Sequence, residues 1–232
     1  GAIIMPNDEK IIQNLPQSAI IMPNKEILES NISVSGDEPK LDEITYIFEP
    51  FLQLGKNFID AEHESQLQLQ NFTLSLWFKT NKTDYIEPGH IVNKGGFNSE
   101  EEGNNMNYGI WMTNGSIVGG YETKLGETIS VQSPKTYNDG KWHFAILINN
   151  GSTLRLDIDK QTVATNSTNG KIPEYTGDRP FRIGANSLEE DKFFYGNIGD
   201  VRIWNRPLTN MEINEIYNNN NYSLKGQILF FN

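Results

Sequence analysis

Tyr195-Gly196-Asn197-Ile198-Gly199-Asp200-Val201-Arg202-Ile203-Trp204-Asn205-Arg206-Pro207-Leu208 decides the fold class of this chain. Gly196, Asn197 and Gly199 make a turn-rich entry. A short alternating strand follows, with Val201 and Ile203 on one face and Arg202 and Trp204 on the other. After the Arg-Pro-Leu-Thr exit, Met211, Ile213, Ile216 and Tyr217 recur at helical spacing. Thr209 with Glu212 three positions on forms a capping box, so the segment predicts a short helix over 209–217.

The same rhythm runs upstream. Asn114-Gly115, Asp139-Gly140, Asn150-Gly151 and Asn169-Gly170 separate short runs rich in Ile, Val, Phe, Thr and Trp, a hairpin pattern. Strands are expected at 44–48, 52–54, 58–60, 71–79, 90–93, 108–112, 116–121, 128–131, 142–149, 153–158, 161–164, 181–183 and 227–231. In 71–79, Phe72, Leu74, Leu76 and Phe78 share a face. Residues 1–40 differ. They carry a duplicated hexapeptide, Ala2-Ile3-Ile4-Met5-Pro6-Asn7 and Ala19-Ile20-Ile21-Met22-Pro23-Asn24, each copy a β-like run stopped by Pro. The expected organisation is an N-terminal arm over 1–40 and one β-sandwich domain over 41–232.

Several motifs in order resemble laminin-G-like domains of the concanavalin A-like lectin/glucanase superfamily, over about residues 51–217. They are Phe51-Leu52-Gln53-Leu54-Gly55-Lys56-Asn57-Phe58-Ile59-Asp60 with the strand that follows, Asp139-Gly140-Lys141-Trp142-His143, Phe181-Arg182-Ile183-Gly184, and the opening stretch. The resemblance implies an all-β, two-sheet antiparallel jelly-roll sandwich with an extended arm and one short C-terminal helix. It implies an extracellular or cell-surface recognition and adhesion domain without catalysis. It also implies Ca2+, with Asp200 as ligand and backbone carbonyls of the turn at Gly55 assisting. Here Gly55-Lys56-Asn57 replaces the commoner Asp-Gly-x-x-Asp. The competing reading of Asp200 is a turn cap or a partner of Arg202 or Arg182.

Composition narrows the partners. The formal net charge is −11, which disfavours nucleic acid and anionic membrane. With no cysteine, disulfides and thiolate metal sites are excluded. No apolar run is long enough to span a bilayer, so membrane insertion is not expected. No leader is visible, which leaves a cytosolic chain or one numbered from its mature form. Seven Asn-x-Ser/Thr sequons, at Asn31, Asn71, Asn81, Asn114, Asn150, Asn166 and Asn221, suit a surface glycoprotein or arise by chance in an Asn-rich chain.

For a glycan or cell-surface polysaccharide, alternation turns Trp111 and Trp204 outward, with Tyr121, Asn107 and Asn114 as neighbours. The competing reading has both tryptophans covering the second face of the sandwich or receiving the N-terminal arm. Trp77 and Trp142 read as core, and His143 as structural. A retaining glycosidase needs two carboxylates about 5 Å apart. Asp157 and Asp159 share a face but no Glu accompanies them, and no nucleophile or metalloprotease motif occurs, so no enzyme is expected. An alternative function is a self-assembling surface or filament subunit, in which residues 1–24 add strands to a neighbouring subunit.

Overall fold

A computed structural model describes residues 20–21, 51–61, 65–84, 87–96, 102–188, 191–218 and 227–231. The rest of the arm, the strand expected at 44–48, Asn31 and Asn221 lie outside the described residues.

Two antiparallel sheets form the domain. The first contains β1 (Ile20–Ile21), β2 (Phe51–Leu54), β4 (Phe72–Lys79), β9 (Trp142–Asn149), β10 (Thr153–Ile158), β11 (Gln161–Ser167), β13 (Gly196–Trp204) and β14 (Gln227–Phe231). Its order is β1-β2-β13-β4-β9-β10-β11, with β14 also on β13. The second runs β3-β12-β5-β6-β7-β8. Its strands are β3 (Ile59–Ala61), β5 (Gly89–Lys94), β6 (Tyr108–Thr113), β7 (Ser116–Glu122), β8 (Thr128–Thr136) and β12 (Phe181–Ile183). One helix, α1 (Asn210–Asn218), follows β13. The expected capping box is present: Glu212 N donates to Thr209 Oγ1 at 3.3 Å and Thr209 N to Glu212 Oε2 at 2.8 Å.

Period-two alternation fills the space between the sheets. Phe72, Leu74, Leu76 and Phe78 of β4 meet Tyr108, Ile110 and Met112 of β6 in one buried cluster. Along β13 the buried set is Ile198, Val201 and Ile203, so the alternation skips one residue. The pairing shows why: Gly199 faces Trp77 and Arg202 faces Ser75, leaving an extra residue on β13. This is a β-bulge, and Asp200 within it has φ 49°.

Each sheet also buries its outer face. On the first, α1 lays Leu208, Ile213 and Ile216 over Phe144, Ile146, Ile148 and Trp204. On the second, Met106 packs against Trp111 and Val118. Met106 N donates to Glu122 Oε2 at 3.0 Å, and Glu122 N returns to Met106 O at 2.7 Å, which pins that segment down.

Candidate functional site

Most of the residues expected to hold a ligand are structural. Trp204 does leave the inter-sheet core, but α1 covers it completely. Trp111 is only 4% exposed and stacks on His90, ring centroids 5.9 Å apart. Burial pushes the His90 imidazole down to about 3, so it is neutral. Tyr121 is buried on the core side, and its hydroxyl donates to Lys171 O at 2.8 Å. Asn107 clamps a strand entry, accepting from Leu69 N at 3.0 Å and donating to Leu69 O at 2.7 Å. Of this set Asn114 alone is exposed, at a turn where it and Gly115 have φ 50° and 82°.

The residues named for calcium do not come together. Gly196 pairs with Leu54 and Gly199 with Phe51, so Gly55 sits beyond the start of β13. Asp200 is five residues further along, about 15 Å at ~3.3 Å per residue. Its Oδ1 accepts from Arg202 Nε at 2.6 Å, both side chains buried. Burial pushes the Asp200 carboxyl up, opposed by Arg202. No group of three or more His, Asp or Glu able to hold a metal ion occurs among the described residues. The pair therefore does not fit a calcium site, and Asp200 is the partner of Arg202.

Two other readings change. Trp142 and Trp77 are half-buried on the outer face of the first sheet rather than in the inter-sheet core. Asp157 is held by Arg155 at 2.9 Å, and Asp159 turns to His143, so they do not form a pair across one bond. His143 is structural, as read. Its Nδ1 lies 2.8 Å from Asp159 Oδ2 and its Nε2 3.0 Å from Asp139 Oδ1. The hydrogen bond to Asp159 leads the causes that raise the imidazole above its ordinary range.

That clamp lies at one end of the sandwich, where four loops are stitched together. Thr80 Oγ1 donates to Tyr195 O at 2.6 Å, and Gly140 N to Thr80 O at 2.9 Å. Asn138 Nδ2 reaches Lys82 O at 3.1 Å, and Tyr137 N reaches Gly115 O at 2.7 Å. Along the sheet rim, Trp142 pairs with Lys79 and Lys79 with Asn197. All three are half-exposed, in one cross-strand row with neighbouring Cβ atoms about 5 Å apart. Next to this row Lys82 Nζ stands 5.3 Å from the Tyr195 ring centroid. The arrangement offers aromatic surface, amides and ammonium groups around a rigid rim.

Sequence reasoning missed Lys79, Asn197 and Tyr195. Lys79 was within reach, since it continues the outward-facing set of β4 after Trp77. Its partners depend on strand order, which periodicity does not encode.

The profile of the concanavalin A-like lectin/glucanases superfamily matches residues 55–214, well over half of the chain. The chain belongs to this superfamily. No curated protein matches it by sequence. Among solved structures it is similar to the binding domain of Paraclostridial Mosquitocidal Protein 1, at 17% identity and TM-score 0.58, covering 72% of this chain and 43% of that one. It is also similar to the receptor binding domain of botulinum neurotoxin mosaic serotype C/D, at 20% identity and TM-score 0.56 over 76% and 43%. The botulinum neurotoxin serotype D binding domain gives 18% and 0.56 over 73% and 42%. The chain thus spans less than half of each, and likeness at these identities is one of fold.

Proposed function

We propose that this domain is a non-catalytic, extracellular recognition module that binds carbohydrate at the His143 end. The observation that carries the reading is the row Trp142, Lys79 and Asn197, half-exposed on three adjacent strands beside Tyr195 and Lys82. An aromatic face suits the apolar side of a sugar ring, and flanking amides and ammonium groups suit its hydroxyls. Clamped loops keep this rim in place without a ligand, which lowers the cost of ordering on binding. The engagement of Asp157 and Asp159 in separate ion pairs supports the non-catalytic part of this reading. A polysaccharide panel screened by titration calorimetry, with Trp142→Ala beside the parent protein, tests the reading. Loss of glycan affinity in the variant with unchanged melting supports it; equal affinity in both proteins sinks it.

A second reading, assembly through residues 1–24, has one observation in its favour. Within the chain Ile20 pairs with Gln53 and Ile21 with Leu52 of β2, so the sheet edge accepts a strand from the duplicated hexapeptide. Residues 3–4 carry the same Ile-Ile pair. Deleting residues 1–24 and measuring mass by light scattering decides it, because an unchanged oligomeric state would remove the idea.

The sequons at Asn71, Asn81, Asn114, Asn150 and Asn166 are all exposed, as glycosylation of a surface protein requires. Glycans at Asn81 or Asn114 would crowd the His143 end, and peptide mass mapping of secreted protein locates them.

A further inference from the structure

We propose that the His143 end selects anionic carbohydrate, recognising carboxylate or sulfate groups on the sugar. The inference rests on the carbohydrate reading above and names its ligand class. The chain as a whole is strongly acidic, at −11. Against that background the described segments at this end carry Lys56, Lys79, Lys82, Lys135, Lys141 and Lys160 against Asp84, Glu87, Asp139 and Asp159.

The three aspartates each have a partner among the described residues. Asp159 gives one oxygen to His143 at 2.8 Å and the other to Phe144 N at 2.9 Å. Asp139 Oδ1 takes His143 at 3.0 Å and Lys141 N at 2.9 Å. Asp84 holds Lys82 at 2.7 Å. Lys79, Lys56 and Lys135 have no ion-pair partner among the described residues, and Lys79 sits inside the Trp142–Asn197 row itself. His143, set between two carboxylates, holds its proton more firmly and offsets part of their charge.

The opposite end has the reverse balance. Glu102, Glu122, Glu127, Glu174 and Asp178 there stand against Lys94, Lys124, Lys171 and Arg179. Lys124 pairs with Glu102, and Lys171 with Glu127. A domain that repels anions over most of its surface and presents ammonium groups at one rim steers an anionic ligand to that rim. A neutral sugar gains no steering from this arrangement.

The test is titration calorimetry with length-matched oligosaccharides of three kinds: an oligouronate, a sulfated oligosaccharide and a neutral glucan. At low salt at least one anionic ligand should bind about tenfold or more tighter than the glucan, and the margin should shrink at 0.5 M salt, as screened charge contacts do. The two anionic arms tell carboxylate from sulfate. Lys79→Gln should weaken anionic binding several-fold more than it weakens glucan binding, whereas Lys124→Gln at the far end should change neither. A glucan that binds as well as both anions, or a Lys124→Gln effect matching that of Lys79→Gln, overturns the anionic inference and leaves the carbohydrate reading standing. Failure of all three ligands overturns both.

Discussion

The two ends of the sandwich are built from similar turns but present opposite surfaces. At the His143 end the half-exposed side chains are Trp142, Tyr195, Lys79 and Lys82, and polar groups cross-link the loops. At the Leu125 end Thr123 bridges Pro173, and Leu125, Ile172 and Tyr175 stand 92%, 53% and 38% exposed. Lysines there are tied to glutamates, so the charges serve the loops themselves. The difference teaches that exposure alone does not mark a recognition surface. What separates the ends is whether polar groups are left over once the loops have been fastened.

The largest expected effect probes how the Leu125 end is held. A Cβ at Gly177 would come within 2.2 Å of Gly103 O, a backbone atom with little room to retreat. Gly177→Ala should cost about 2–3 kcal/mol, as overpacking does. Calorimetric melting measures that loss, and ligand affinity at low temperature should stay at the parent value. If affinity fell in step, the two ends would not be independent.

Trp142→Ala comes next. A tenfold drop in glycan affinity, about 1.4 kcal/mol, is expected with a melting temperature within a few degrees of the parent. A large melting shift would make Trp142 a packing residue and erase the contrast.

The His143 clamp gives a smaller, pH-dependent effect. Its folded pKa lies above the unfolded value of about 6.5, so its contribution is fully present below that pH. The contribution is lost as pH rises through the folded pKa. Stability should therefore decline as pH rises from 6 to 9 on this account. His143→Gln should flatten that decline, and an identical slope in both proteins would remove the clamp's role.

Leu125→Ser should change least, within about 0.5 kcal/mol in stability, since the side chain already faces water. Its measurable outcome is unchanged affinity for every saccharide. A loss there would move recognition to the other end.

Much of the frame could be read from the chain. Alternation in 72–79 marks the buried face of β4, and the Thr209–Glu212 pair marks the start of α1. Cover was not legible. Period two says that Trp111 and Trp204 leave the core, but not that Met106 and α1 close over them. Those contacts join residues close along the chain, but period two does not encode how the flanking segments fold back over the sheets. Register was equally hidden. Gly55 and Asp200 look compatible until the pairing of β2 with β13 sets them at different heights. The row at Lys79 needed the same information, the order in which three strands lie side by side.

One edge of β13 is shared. Gly196–Gly199 pair with β2 and Val201–Trp204 with β14, while β4 takes the opposite edge. A ribosome making this chain releases β4 long before β13, and β13 before β14. Residues near Phe51 must wait for Gly199, and Val201 for Phe231. The β2 and β14 side of the first sheet therefore closes only after β13 has been made, whereas β4, β9, β10 and β11 can pair before it. Pairings of such sequence separation close slowly, and they leave open strand edges in the interval.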